Sequence, residues 1–317
     1  MFNHVTVLLE ETINELNIRP DGTYVDCTLG GGGHSAAILS RLTSGHLYGF
    51  DRDMAAITAA NDRLSAISPN FTLIHSDFRR IRQELEQRGV MTIDGCVFDL
   101  GVSSPQFDDA SRGFSYQKDA RLDMRMDQTQ SLSAYEVVNE YKYEDLVRIL
   151  YRYGEEKFAK SIARRIEESR KEAPIETTLQ LAEIVKSAIP ARARRTGGHP
   201  AKRTFQAIRI EVNDELGAFD IALDDAMDLL SAGGRVCVIT FHSLEDRICK
   251  RTFVEASKVP DLPKNIAVIP ESAMPRFKRV TRKPITAGED ELQANNRAHS
   301  AKLRVIERIA DNEKNPQ

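Results

Sequence analysis

Tyr24-Val25-Asp26-Cys27-Thr28-Leu29-Gly30-Gly31-Gly32-Gly33-His34-Ser35 is a short apolar run that breaks into four consecutive glycines. It reads as a strand, a tight turn and the start of a helix. Glycine suits such a turn because it reaches positive φ without a Cβ clash and lets the backbone come close to a ligand. The N–H groups that open the following helix then face that ligand. Taken alone, the cluster fits an ordinary loop as well as a nucleotide loop, since Gly30-x-Gly32-x-x-Ser35 only approximates the dinucleotide fingerprint.

The segments that follow narrow the choice. Ala36 to Leu39 continue as a helix, and Leu47-Tyr48-Gly49-Phe50 is an apolar run ending at Asp51. Asp51 lies roughly twenty residues beyond the glycine loop, where an acid in a βαβ unit meets ribose hydroxyls. Ala55 to Leu64 is helical in composition, and Phe71 to His75 reads as a third strand ending at Ser76-Asp77-Phe78, a polar and aromatic pairing able to flank an adenine. Ile81 to Arg88 is a short helix, and Ile93 to Leu100 a fourth strand with the terminal carboxylate Asp99. Strands alternating with helices imply a parallel sheet covered on both faces, with the ligand crevice at the carboxyl ends of the strands. Gly30 to His34, Asp51, Asp77, Phe78 and Asp99 all fall at that edge.

The remainder departs from this alternation. After Ser103-Ser104-Pro105-Gln106-Phe107 comes a polar loop through Asp127, too long for a routine connection. Residues 132 to 189 carry only helical signals, with a cap at Thr177-Thr178 and a stop at Pro190. This predicts a helical insertion in the α/β domain. Lys202 to Ser231 reads as one long amphipathic helix ended by Gly233-Gly234. Arg235 to Thr240 is then a fifth strand delivering Phe241-His242-Ser243 to the ligand edge. Val259 to Pro284 reads as an irregular loop or hairpin, and Ala301 to Glu307 as a last strand.

With 317 residues, of which 41% are hydrophobic and 29% charged, the chain is long enough for one large domain or two moderate ones. A net charge of -3 excludes a uniformly basic nucleic-acid coat. Two windows are nevertheless one-sided: Arg192, Arg194, Arg195, Lys202, Arg203 and Arg209 fall in a stretch without an acid, as do Arg276, Lys278, Arg279, Arg282 and Lys283. Cys27, Cys96 and Cys237 sit inside apolar runs without metal-site or redox spacing, which predicts buried thiols and no metal. Neither a signal-peptide h-region nor a bilayer-length apolar run is present, so a cytoplasmic location is expected.

An NAD dehydrogenase would explain the glycine loop and Asp51 but leaves Ser104 to Phe107 and the basic windows without a role. An S-adenosylmethionine enzyme explains more, because its cofactor needs close backbone approach, a carboxylate for the ribose and contacts for adenine at successive strand ends. The sulfonium supplies the reactive methyl, so the protein mainly aligns an acceptor. Ser104-Pro105-Gln106-Phe107 resembles the Ser/Asp/Asn-Pro-Pro-aromatic motif of amino methyltransferases, departing from it at Gln106 and Phe107. Such enzymes hold the hydrogens of an exocyclic amine so that its nitrogen points at the methyl. Carbon-5 methylation would need a thiolate, and Cys96 is embedded in a strand.

Longer motifs carry a more specific likeness. His4-x-x-Val7-Leu8-Leu9, Gly31-Gly32-Gly33-His34-Ser35, Asp99-Leu100-Gly101-Val102-Ser103-Ser104-Pro105-Gln106, Arg112-Gly113-Phe114-Ser115, Leu122-Asp123-Met124-Arg125-Met126, Arg203 to Arg209 and Phe241 to Arg247 together resemble the family of ribosomal RNA small subunit methyltransferase H, or MraW. The resemblance implies a Rossmann-like class I S-adenosylmethionine-dependent methyltransferase, an α/β fold with an inserted all-helical domain. The expected parts are a core over 1–108, a helical substrate-recognition insert over 109–203 and the rest of the core over 204–317. It implies methylation of N4 of a cytidine in the decoding centre of 16S ribosomal RNA. Carried over by position, it places the cofactor against Gly32, Gly33 and His34, with Asp51 on the ribose, Phe78 beside adenine, and Asp99 and Gln106 closing the site. Gly31 stands where some members carry a larger residue. Asp99, Ser104 and the Pro105 carbonyl are the catalytic candidates, Asp99 serving the cofactor, the base or both. The implied partner is small-subunit ribosomal RNA or the 30S subunit, with 192–209 and 276–283 as candidate RNA contacts and no membrane. A homodimer is left open, as are a DNA amino methyltransferase and an RNA-binding assembly factor.

Overall fold

The computed structural model describes residues 6–103, 106–107, 109–194, 198–259 and 274–309. Contacts divide the chain into two compact units, one of Met1–Gly101 with Leu216–Gln317, the other Val102–Glu215.

The first unit is built on a seven-stranded sheet in the order β3-β2-β1-β4-β5-β7-β6. Its strands are β1 Thr23–Asp26, β2 His46–Asp51, β3 Phe71–His75, β4 Ile93–Asp99, β5 Leu230–Thr240, β6 Phe277–Arg279 and β7 Lys302–Arg308. The first five run parallel, while β7 is antiparallel to both β5 and β6. Alternation along the central strands sends side chains to two apolar clusters. Cys96, Phe98, Val236 and Val238 join Phe219, Leu223, Met227, Cys249 and Phe253 in one. Val97, Cys237, Ile239, Leu303 and Val305 join Ile13, Leu16, Ile38, Leu39 and Leu64 in the other. Both faces are thus buried, which is why these strands read as nearly continuous apolar runs. The order reverses between β1 and β4, so the crevice of a doubly wound sheet falls at the carboxyl ends of β1, β2 and β4.

The second unit is helical. Ala134–Glu140, Tyr143–Arg152, Ala159–Glu172, Thr178–Ala188 and Lys202–Asn213 pack Val137, Leu146, Ile149, Ile162, Leu181 and Phe205 into a core of their own. Thr177 caps Thr178–Ala188 in a box with Gln180, and Ser133 does the same for its helix with Glu136.

The unit begins before 109 and ends after 203. Phe205, Ile208 and Val212 belong to the helical core, while Phe219, Leu223 and Met227 belong to the sheet. The single helix expected over 202–231 is accordingly two. Lys202–Asn213 ends at Asp214, whose φ of 46° is left-handed, and Glu215–Leu229 follows. Apolar spacing runs unbroken through the junction, so the pattern alone does not reveal that its two halves bury against different cores. Gly233, at φ 77°, turns the chain within β5 and does not end the helix.

Candidate active site

β1 ends at Asp26, and the chain then turns through Gly30 and Gly32, whose φ values are 48° and 70°. Gly33 opens the helix Gly33–Leu39, and a Cβ there would collide with Thr6 Oγ1. Gly31, by contrast, has nothing within 4 Å of the place a Cβ would take. The four glycines are therefore unequal: two supply backbone conformation, one supplies space, and one is open.

Carboxylates hold this loop. Asp26, almost fully buried, accepts from Thr28 N at 3.0 Å and from Ser35 Oγ at 2.7 Å. Asp51 Oδ2 accepts from Gly30 N at 2.9 Å and its Oδ1 from Asp53 N at 2.8 Å. Each oxygen retains acceptor capacity for one more donor. Thr28 extends the brace to β4, its Oγ1 accepting from Asp99 N at 2.6 Å. Asp26 and Thr28 are not singled out from sequence, and Ser35 enters there only as the last position of the glycine motif; their place within that motif is the available signal.

Asp99 ends β4 beside β1, its backbone in register with Ile239 of β5. Its Oδ2 lies 3.7 Å from Nδ1 of the buried His34, while its Oδ1 is buried with no hydrogen-bond partner among the described residues. Burial pushes the Asp99 carboxyl up to about 8, with Asp26 and Glu245 adding to the rise and Arg297 opposing it. Burial likewise pushes Asp51 up to about 6, against the two backbone N–H groups that favour its charged form. Among the described residues nothing satisfies this buried acceptor beside the glycine loop, which makes it a candidate position for a ligand's donor.

Phe78 lies past β3 at the same sheet edge, half-buried and edge-on to Phe98 at 5.9 Å. The Arg52 guanidinium stands 5.6 Å from its ring centroid and 3.0 Å from Asp77 Oδ2. Arg52, which follows Asp51 directly, is a neighbour the sequence reading missed.

Other expected residues take different places. His242 caps the helix Ser243–Ala256: its Nδ1 accepts from Glu245 N, and its Nε2 lies 3.1 Å from Glu245 Oε1. Gln106 lies in the second unit, buried, with Oε1 accepting from Ser103 N at 3.2 Å. His4, Ser104, Pro105 and Arg195 lie outside the described residues. Cys27, Cys96, Cys237 and Cys249 are all buried free thiols. Of the basic windows, Arg209 is held bidentate by Glu215 at 2.9 and 3.0 Å, Arg276 lies 3.7 Å from Asp228, and Lys278 is 2.8 Å from Glu307.

The long segment before Asp127 proves to be a folded part of the helical unit. Arg112 donates to the carbonyls of Arg125 and Met126, and Arg125 donates to Asp123 and to the carbonyls of Gln128 and Gln130. Asn213 closes the arrangement by donating to Met124 O and accepting from Met126 N.

The family model described as the MraW methylase family matches residues 1–309. The chain belongs to the MraW methylase family. Two relatives named ribosomal RNA small subunit methyltransferase H, from Exiguobacterium sibiricum and Limosilactobacillus fermentum, are each 63% identical to it. The first aligns with 98% of this chain and 100% of its own length, the second with 97% and 99%. As an MraW methylase the chain is a methyltransferase of the Rossmann-like class, and its methyl donor is S-adenosylmethionine. Among the described residues no helix is long and apolar enough to cross a membrane.

Proposed function

We propose that this MraW methylase transfers the methyl group of S-adenosylmethionine to N4 of a cytidine in the decoding centre of 16S ribosomal RNA. The names of the two relatives support the substrate class. The observation that carries the choice of an amine is the unsatisfied Asp99 Oδ1 at the end of β4.

The left-handed turn at Gly32 and the helix start at Gly33, with His34 next in the chain, are assigned to the methionine side of the donor. The second acceptor positions on Asp51 suit ribose hydroxyls, and the Phe78 ring suits adenine. Gln106 is assigned to the cofactor, with Ser104 and the Pro105 carbonyl orienting the base. When bound, the donor supplies an electrophilic methyl carbon. Asp99 then has two tasks. Its free oxygen accepts an N–H of the exocyclic amine, which turns the nitrogen lone pair toward the methyl, and it receives the proton that nitrogen sheds once the new C–N bond has formed. With burial raising the Asp99 carboxyl to about 8, it is the fraction ionised at the working pH that takes this proton and then holds it. Arg192, Lys202 and Arg203 of the helical unit, with Arg279, Arg282 and Lys283 of the sheet unit, are the cations assigned to RNA.

Small ribosomal subunits from a strain lacking this modification, incubated with labelled S-adenosylmethionine, should acquire N4-methylcytidine with the wild-type protein. Asp99→Asn should slow transfer by about 10² to 10⁴-fold, the usual range for a positioned proton acceptor. Label in duplex DNA instead of ribosomal RNA would replace the proposal with a DNA amino methyltransferase. No label, with RNA binding intact, would leave an assembly factor.

A further inference from the structure

The sheet unit carries a second cluster of charge outside the glycine-loop site. Lys250 of the helix Ser243–Ala256, Arg279 at the end of β6, Arg282 just beyond it and Arg304 of β7 line one notch, with Thr281 beside them and Phe253 beneath. Neither charge spacing nor periodicity in the sequence joins Lys250 to Arg279. The strand order β5-β7-β6 does, by bringing β6 and β7 under the helix that follows β5.

We propose that this notch holds a backbone phosphate of the RNA substrate, an inference that rests on the ribosomal RNA reading above. The first reason is uncompensated charge. Arg304 is neutralised by Asp246 at 2.7 and 3.3 Å, but Lys250, Arg279 and Arg282 have no carboxylate partner among the described residues. Their neighbours in sequence show that partners were within reach of this surface, since Arg276 and Lys278 are engaged by Asp228 and Glu307. Three exposed cations held together repel one another, and a multivalent oxyanion relieves that repulsion.

The second reason is the lining. Thr281 Oγ1 accepts from Val305 N at 2.9 Å, which leaves its O–H to donate into the notch. The donors thus include guanidinium, ammonium and hydroxyl groups, a set matched to phosphate oxygens. The one aromatic ring, Phe253, is buried in the core and offers no face for a base to stack on. Such a site reads charge and not sequence, as backbone contacts do. Lys250 is one turn short of three from Ser243, about 10 Å along the helix from its start at the ligand edge. The notch is therefore placed to hold strand flanking the target nucleotide.

The test compares Lys250→Ala/Arg279→Ala/Arg282→Ala with Arg276→Ala/Lys278→Ala, which removes the engaged cations of the same stretch. Binding to 16S ribosomal RNA is measured across a salt series, with thermal melts confirming both folds. The triple variant should flatten the log Kd against log salt slope by at least about 0.7, the release expected for one single-strand phosphate. Its KM for RNA should rise about tenfold with kcat held, and Lys250→Arg/Arg279→Lys/Arg282→Lys should restore binding. The double variant should match wild type. An unchanged slope and KM in the triple variant, while wild type still transfers methyl, would overturn the notch alone. RNA binding that weakens as expected, without methyl transfer by wild type, would overturn the functional reading and support the notch.

Discussion

The two units each contain one irregular loop pinned by charge, and they pin it with opposite signs. In the sheet unit, Asp26 and Asp51 accept from the inward N–H groups of the loop that Gly30 and Gly32 turn. In the helical unit, Arg112 and Arg125 donate to inward carbonyls of a loop turned at Gly113 and Met124, whose φ values are 70° and 59°. The consequence is electrostatic. Burial drives the sheet-unit carboxyls upward. In the helical unit, burial also pushes Asp123 upward, but its hydrogen bonds from Arg125 outweigh that and hold it below the usual carboxylate range. At the sheet unit's ligand edge Asp99 Oδ1 has no hydrogen-bond partner among the described residues, whereas both carboxylate oxygens of Asp123 in the helical-unit loop accept from Arg125.

This contrast is open to measurement, and the largest expected effect is on pH dependence. A carboxyl raised from 3.8 to about 8 stabilises the fold in its protonated form, fully so below its unfolded pKa, and that contribution is lost as pH rises through the folded value. The ligand-free protein should therefore lose up to about 5 kcal/mol between pH 4 and pH 8 from Asp99, and Asp51 should add in the same direction between 4 and 6. Asp99→Asn should remove most of the decline and be the more stable protein at pH 8. Urea titrations at both pH values check this, and equal slopes for the two proteins would contradict it. Asp123 acts with the opposite sign, its contribution being present above its unfolded pKa and lost as pH falls.

Arg125→Met comes next. It strips two carbonyls and the Asp123 carboxylate of their donor, at a cost of about 3 kcal/mol. Calorimetry should show the helical unit unfolding earlier, with donor binding by the sheet unit retained. Concerted loss of both would mean that the two units do not differ in the way described.

The smallest pair lies within the glycine run. Gly33→Ala should cost about 1 to 3 kcal/mol because its Cβ collides with Thr6, and it should also weaken S-adenosylmethionine binding. Gly31→Ala should stay within about 0.5 kcal/mol of wild type, having only open space to fill. Equal effects at the two positions would show that the run acts as a uniform flexible segment.

Much of the sheet unit is legible in the sequence because its central parallel strands bury both faces and must be apolar, while the loops at its ligand edge must carry glycine or a carboxylate. Thus β1 to β5, the glycine turn, Asp51 and Asp99 could all be placed along the chain. Less legible was which partner each polar group would find. Arg209 and Lys278 look free in a basic stretch until Glu215 and Glu307 are brought beside them. His242 is placed by the sequence only at the ligand edge, and Glu245, one helical turn on, makes it a cap.

The sequence by itself determined the element types, the strand ends that carry the site and the family, because period, glycine and long motifs are local properties of the chain. Only the tertiary structure decided the rest. It divided 202–229 between two cores at Asp214, made the four glycines unequal and gathered Lys250, Arg279 and Arg282 into one notch. It also left Asp99 Oδ1 buried without a hydrogen-bond partner among the described residues. Each of these depends on what lies nearby in space from distant parts of the chain, which no local pattern encodes.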